Sequence, residues 1–160
     1  MKRVTICLLC RGKKLLIGIK KRGPGVGKRN MPGGHIEELE DAKSSAKREI
    51  LEESGIEVKE GELKQVAVVG FYFDGKYVFE SCVFLVKDFV GEAKDTDEME
   101  DFNLYPFDNI NDLPFDEMWV ADRLWIPLIL RDGKEIYAVV NFNADGTKVE
   151  NFSYKEVKFD

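Results

Sequence analysis

Apolar residues fall along the chain in short β-like blocks, broken by two stretches of helical spacing. Val4 to Cys10 is rich in β-formers, and Leu15 to Lys20 resumes the pattern after the turn-like Arg11-Gly12-Lys13-Lys14, which predicts a hairpin. Two breaker-rich loops follow, Gly23-Pro24-Gly25-Val26-Gly27 and Met31-Pro32-Gly33-Gly34. Asp41 to Ser54 predicts a helix with Ala42, Ala46, Ile50 and Leu51 at helical spacing, ended by Gly55. Leu63 to Phe73 and Tyr77 to Val86 read as strands, joined through the hairpin signal Asp74-Gly75. Gly91 to Asp101 reads as an acidic loop and Phe102 to Phe107 as a strand. Phe115 to Arg131 predicts an amphipathic helix through Trp119, Leu124, Trp125, Leu128 and Ile129, with a break or kink at Pro127. Glu135 to Phe142 and Val149 to Val157 predict a closing strand pair around Ala144-Asp145-Gly146. Strands interleaved with two helices imply an α+β fold, a mixed sheet flanked by helices.

Composition narrows this picture. The 160 residues form a single domain by length, and 44% hydrophobic and 11% aromatic content can build a core. The net charge of -6 disfavours non-specific nucleic-acid binding, which rests on basic surface. It leaves room for phosphates bridged by a divalent cation. The charge is also uneven: Lys20, Lys21, Arg22, Lys28 and Arg29 form a basic block, whereas Glu37 to Glu62 is rich in acids. Cys7, Cys10 and Cys82 make no zinc pair and read as reduced, buried thiols of a cytoplasmic protein. The run after Met1 has no cleavage site and is too short to span a membrane, so neither a signal peptide nor a membrane partner is expected.

Glu49, Glu52 and Glu53 fall on the first predicted helix, three and four residues apart. Like charges at this spacing repel, and a divalent cation would offset the repulsion. Oxygen ligands suit Mg²⁺, and Arg48 can hold a carboxylate through a bidentate pair. A solvated acidic face is the alternative.

The surrounding spacing favours the cation. Gly34, five residues, Glu40, seven residues, Arg48-Glu49-Ile50, one residue, Glu52-Glu53, one residue and Gly55-Ile56 reproduce the signature of the Nudix hydrolases without departure. This resemblance implies the Nudix fold, an α/β/α sandwich, and a loop–helix–loop binding Mg²⁺, or Mn²⁺ in its place. It implies metal ligation by Glu49 and Glu53 with the Gly33 carbonyl, and by Glu52 and Glu98 directly or through water. Glu40 and Arg48 would hold loop and helix together. The proton acceptor is Glu53 or Glu52, with Glu98 a third candidate. His35, at an unconstrained position, reads as a loop residue.

The flanks extend the resemblance over nearly the whole chain. Lys20-Lys21-Arg22-Gly23, Asn30, Pro32-Gly33-Gly34, Asp97-Glu98-Met99, Leu113-Pro114-Phe115 and Met118-Trp119, with Asp122, Trp125 and Pro127, occur in the order found in the MutT-related animal oxidised purine nucleoside triphosphatases. That implies hydrolysis of an oxidised purine nucleotide such as 8-oxo-dGTP or 2-hydroxy-dATP to monophosphate and pyrophosphate. Trp119 offers a flat face to a purine, Asp122 an acceptor for its edge, and Asn30 a donor and an acceptor. Lys20 would reach phosphate or base, and Thr5 and Phe71 match positions lining that pocket. Core packing is the alternative for Trp119, Thr5 and Phe71. Two departures bear on the base: Ala121-Asp122 replaces a pair of aspartates, and Pro24 replaces an aromatic, which implies a narrower or shifted range. A small nucleotide is the expected partner, and the protein is expected to be a monomer or weak homo-oligomer. The competing readings are hydrolysis of a nucleotide sugar, ADP-ribose or a capped RNA end, and a non-catalytic nucleotide-binding module. The intact glutamates of the box argue against the last.

Overall fold

The computed structural model describes residues 2–160; Met1, where the N-terminal run begins, lies outside them. Strands β1 (Lys2–Arg11), β2 (Lys14–Lys20) and β3 (Arg29–Asn30) precede helix α1 (Ala42–Ser54). Strands β4 (Lys64–Phe73), β5 (Lys76–Val86) and β6 (Met99–Pro106) follow, then helix α2 (Asp122–Leu130), β7 (Ile136–Phe142) and β8 (Val149–Glu156). β1 runs parallel to β5, β5 antiparallel to β4, β4 parallel to β7, and β7 antiparallel to β8. The sheet is therefore mixed, and its connection at Asp74-Gly75 uses two residues with positive φ, as a two-residue hairpin turn requires.

The first hairpin closes only at its tip. β1 and β2 pair at Cys10–Leu15 and Arg11–Lys14, then diverge, and β2 takes β6 and β3 as its partners. β6 starts at Met99, inside the stretch read as an acidic loop, because the open edge of β2 continues to Lys20 opposite it. The divergence would leave amides of β1 unpaired, and residues 32–36 fill the gap. The Thr5 amide donates to the Gly34 carbonyl at 2.8 Å, Cys7 to Pro32 at 2.8 Å, and Ile36 to Arg3 at 3.0 Å. The approach is so close that a Cβ on Gly33 would lie 2.0 Å from the Thr5 carbonyl oxygen.

Alternation along β1 divides the core. Cys7 and Leu9 pack with Phe84, Val86 and α1 residues Ala46 and Ile50. Leu8 and Cys10 face the other layer, with Val69, Val83, Ala138, Val140 and α2 residues Trp125 and Ile126. The helices thus sandwich the sheet. Leu51, expected on the apolar side of α1, is exposed, whereas Glu53 is buried. All three cysteines are free and buried.

The single helix expected over Phe115–Arg131 is not formed. Phe115–Glu117 is a 3₁₀ turn, Met118 is extended, and α2 begins only at Asp122. Pro127 lies inside α2 rather than breaking it. Six of the nine helix residues are buried, so packing sustains α2 across the one hydrogen bond that the proline ring removes. In its first turn Asp122 is 5% exposed. Its Oδ1 accepts from Trp125 Nε1 at 3.1 Å, and its Oδ2 is buried without a partner. Burial pushes the Asp122 carboxyl up to about 7, against the lowering pull of the Trp125 hydrogen bond.

Two predictions follow from these contacts. Gly33→Ala should destabilise the protein by about 2 kcal/mol in urea unfolding, since pushing the loop off β1 breaks two backbone hydrogen bonds worth roughly 1 kcal/mol each. An unchanged unfolding midpoint would show that the loop does not depend on that approach. The folded Asp122 carboxyl keeps its proton up to about pH 7, whereas an unfolded aspartate loses it near 3.8. Its stabilising contribution is complete below about 3.8 and is lost as pH rises to 7. Wild-type stability should therefore fall relative to Asp122→Asn as pH is raised through that window, and parallel profiles would contradict the assignment.

Candidate active site

α1 is started by Asp41, whose carboxylate accepts from the Ser44 amide at 2.8 Å, and stopped by Gly55 in the left-handed conformation. These ends put Glu49, Glu52 and Glu53 in its closing turns. Glu53, 5% exposed, accepts from the Gly33 amide through Oε1 at 2.8 Å. The Glu49 carboxylate packs so tightly on Gly34 that a Cβ there would come within 2.6 Å of it. Burial pushes Glu53 up to about 7, opposed by the Gly33 hydrogen bond and reinforced by Glu49. Burial also raises Glu49, while Arg48 pulls it down. Two partly desolvated carboxylates thus share one turn of helix.

Arg48 binds the loop to the helix. Its Nε and Nη2 donate to the two oxygens of Glu40 at 2.9 and 3.0 Å, and Nη2 also donates to the His35 carbonyl at 3.0 Å. Its Nη1 reaches Glu49 at 3.0 Å and Glu52 at 3.2 Å. The guanidinium holds Glu40 down to about 2. His35 contributes only its backbone here; its side chain is exposed.

Glu98 comes from the loop before β6. Arg22 donates to its Oε1 from Nε at 2.9 Å and from Nη2, which keeps that carboxyl below the usual range. Lys20 acts on both Glu53 and Glu98 through its charge. Among the described residues, no three Asp, Glu, His or Cys side chains already converge as a metal cluster. Glu49 and Glu52 are turned to Arg48, and Glu98 to Arg22. The donor chemistry still fits a hard divalent cation: the groups are all oxygen, and a cation relieves the repulsion between desolvated carboxylates.

A second feature lies where loop 23–28 meets Trp119. A cavity of about 420 Å³ is lined by Gly25, Val26, Lys28 and Trp119 on one side and by Asp145 and Thr147 of the β7–β8 turn on the other. Lys28 Nζ stands 5.4 Å from the Trp119 ring centroid. The Asp122 amide donates to the Trp119 carbonyl at 3.0 Å, and Ala121 is fully buried beside it.

Of the residues expected to touch a base, only Trp119 lines this cavity. Phe71 is buried, stacked on Phe79 at 4.7 Å, and linked to Trp119 through Phe142. Thr5 is buried, and its hydroxyl accepts from the Gly34 amide at 3.3 Å. Asn30 Oδ1 accepts from the Met31 amide at 2.9 Å. The sequence assigned no site role to Arg22, Thr96, Asp145 or Thr147. Arg22 was visible within the basic block, but neither a threonine in an acidic loop nor a turn aspartate carries a signal of its own.

The sequence profile of the NUDIX domain matches residues 1–129. The chain is 35% identical over 131 residues to the oxidized purine nucleoside triphosphate hydrolase of Danio rerio, covering 81% of this chain and 80% of that protein. It is 33% identical over the same share to the Mus musculus protein of that name. In structure it resembles a MutT protein from Bacillus halodurans with a TM-score of 0.75 and 26% identity, over 96% of this chain and 97% of that one. With an unbroken signature wrapped around α1 and this extent of likeness, the chain belongs to the Nudix family of hydrolases.

Proposed function

We propose that this Nudix hydrolase uses Mg²⁺, or Mn²⁺ in its place, to cleave oxidised purine nucleoside triphosphates to monophosphate and pyrophosphate. The observation that carries this reading is one loop serving two sites. Arg22 holds Glu98 beside the α1 carboxylates, and Gly25, Val26 and Lys28 of the same loop wall the Trp119 cavity. Nudix hydrolases act on small nucleotide substrates and generally use divalent metal ions. Relatives at 35% and 33% identity are named for oxidised purine nucleotides.

Glu49 and Glu53 with the Gly33 carbonyl, joined by Glu52 and Glu98 as they leave their arginines, would hold the ion. Once bound, a divalent cation neutralises the pyrophosphate and acidifies a water. Arg48 keeps the helix and loop in register through Glu40, and Lys20 and Arg22 balance phosphate charge. The proton of the attacking water passes to one of Glu53, Glu52 and Glu98. Trp119 stacks the purine. Asp122, protonated near neutral pH, has a hydroxyl proton to donate to the base edge. Thr5 and Phe71 act from behind, through the Gly34 loop and Phe142, and Asn30 acts at the end of β3. With the buried methyl of Ala121 beside it, one carboxyl reads the base edge, which favours a single oxidised purine. The free, buried thiols fit a reducing compartment such as the cytoplasm.

A panel of normal and oxidised nucleotides with Mg²⁺, assayed for monophosphate and pyrophosphate, should give fastest turnover with one oxidised purine triphosphate. Turnover of ADP-ribose or a nucleotide sugar alone would replace this substrate class. Gln variants of Glu53, Glu52 and Glu98, assayed at saturating Mn²⁺, should separate the roles: the proton acceptor loses kcat by ~10²–10⁴-fold even with the metal site filled, whereas loss of a ligand alone is recovered by added Mn²⁺. Full activity in all three variants would sink the mechanism. Trp119→Ala should raise KM about ten-fold or more, because stacking on an aromatic is worth ~1–3 kcal/mol per base. An unchanged KM would place the base elsewhere.

A further inference from the structure

The loop carrying Glu98 is fastened to the end of α1 at two points. The Lys94 amide donates to the Ser54 carbonyl at 2.8 Å, and the Thr96 hydroxyl donates to the Glu53 carbonyl at 2.9 Å. The same hydroxyl oxygen accepts from the amides of Glu98 and Met99, each at 3.2 Å. The Thr96 amide closes the turn on the Met99 carbonyl at 2.8 Å. From outside, Lys21 donates from its amide to the Glu98 carbonyl at 2.9 Å and from Nζ to the Thr96 carbonyl at 2.9 Å.

A hydroxyl that merely stabilised its own turn would need only to accept from the amides that follow it. The acceptor nearest the Thr96 hydroxyl lies outside the turn: the Glu53 carbonyl at 2.9 Å, against 3.4 Å to the Met99 carbonyl within it, and that Glu53 carbonyl stands in the final turn of α1 with no partner inside the helix. The backbone of Glu53 and the backbone of Glu98 therefore meet at a single oxygen atom, and two hydrogen bonds set the separation of two carboxylate-bearing residues that are far apart in sequence. Arg22 restrains the Glu98 side chain from the opposite direction but does not touch α1 in this way.

We infer that Thr96 is a positioning residue that holds Glu98 against Glu53, so that both carboxylates address the same divalent cation. The inference rests on the reading of the site as a metal-dependent hydrolase. Thr96→Val keeps the shape of the side chain and removes both the donor and the acceptor, whereas Thr96→Ser keeps them.

The test is titration of the full-length, nucleotide-free protein with Mn²⁺, followed by electron paramagnetic resonance, beside thermal unfolding of each variant. Partners that orient ligands typically govern affinity by ten-fold or more, so Thr96→Val should bind Mn²⁺ about ten-fold more weakly and Thr96→Ser close to wild type. In a Glu98→Gln background the Thr96→Val effect on Mn²⁺ affinity should disappear, because nothing remains for Thr96 to position. Thr96→Ala is carried in parallel and read by the same criteria should the valine variant fail to fold. Equal Mn²⁺ affinity of wild type and Thr96→Val overturns the inference, even if the variant is less stable. A Thr96→Val effect that persists undiminished in Glu98→Gln also overturns it. Wild-type protein that binds no Mn²⁺ overturns both the inference and the reading of the site on which it rests.

Discussion

The carboxylate of Glu53 lies almost wholly out of water against the Gly33 amide, with the Glu49 carboxylate one helical turn away. Burying charge without compensation is costly, and two neighbouring carboxylates add repulsion to that cost. Much of the surrounding architecture addresses this one problem. Gly33 supplies an amide because it can approach β1 without a Cβ, and Gly34 leaves room for the Glu49 carboxylate. Arg48 spreads one guanidinium over Glu40, Glu49 and Glu52 and the His35 carbonyl. What remains uncompensated at Glu53 is the incentive to bind a divalent cation or a proton.

The divergent first hairpin makes this arrangement available. Had β1 and β2 paired along their length, residues 32–36 would have had no edge to occupy, and the glycine loop could not have stood over α1. The departure of β2 also brings β6 and the Glu98 loop into the sheet at Lys20. A local defect in strand pairing thus admits both segments that face the helix carboxylates.

On the other side of the sheet, Trp119 belongs to an irregular segment instead of a long helix. The extended backbone at Met118 delays α2 and leaves the indole at the cavity wall while Trp125 fills the core. Asp122 is caught between these roles, hydrogen-bonded to Trp125 and carrying one unpartnered oxygen. Residues 22–28 join this region to the carboxylate side, since Arg22 holds Glu98 while Gly25, Val26 and Lys28 wall the Trp119 cavity.

Much of this was legible in the sequence because it depends on local spacing. The periodicity of α1, its Asp41 and Gly55 ends, the Asp74-Gly75 turn and the clustering of Glu49, Glu52 and Glu53 follow from residues a few positions apart, and the spaced signature identifies the family. The extent of α2 was not legible: helical spacing over Phe115–Arg131 concealed a 3₁₀ turn and an extended residue, and Pro127 was tolerated because burial outweighs one lost hydrogen bond. Nor did sequence separate Leu51, which is exposed, from Glu53, which is buried, since that depends on which face of α1 meets β1. The meeting of Thr96 with Glu53 and of Arg22 with Glu98, and the placing of Asp145 and Trp119 around one cavity, were decided by tertiary structure alone. Each joins segments distant in the chain, and no local propensity encodes a meeting between groups whose separation is set by the path of the sheet.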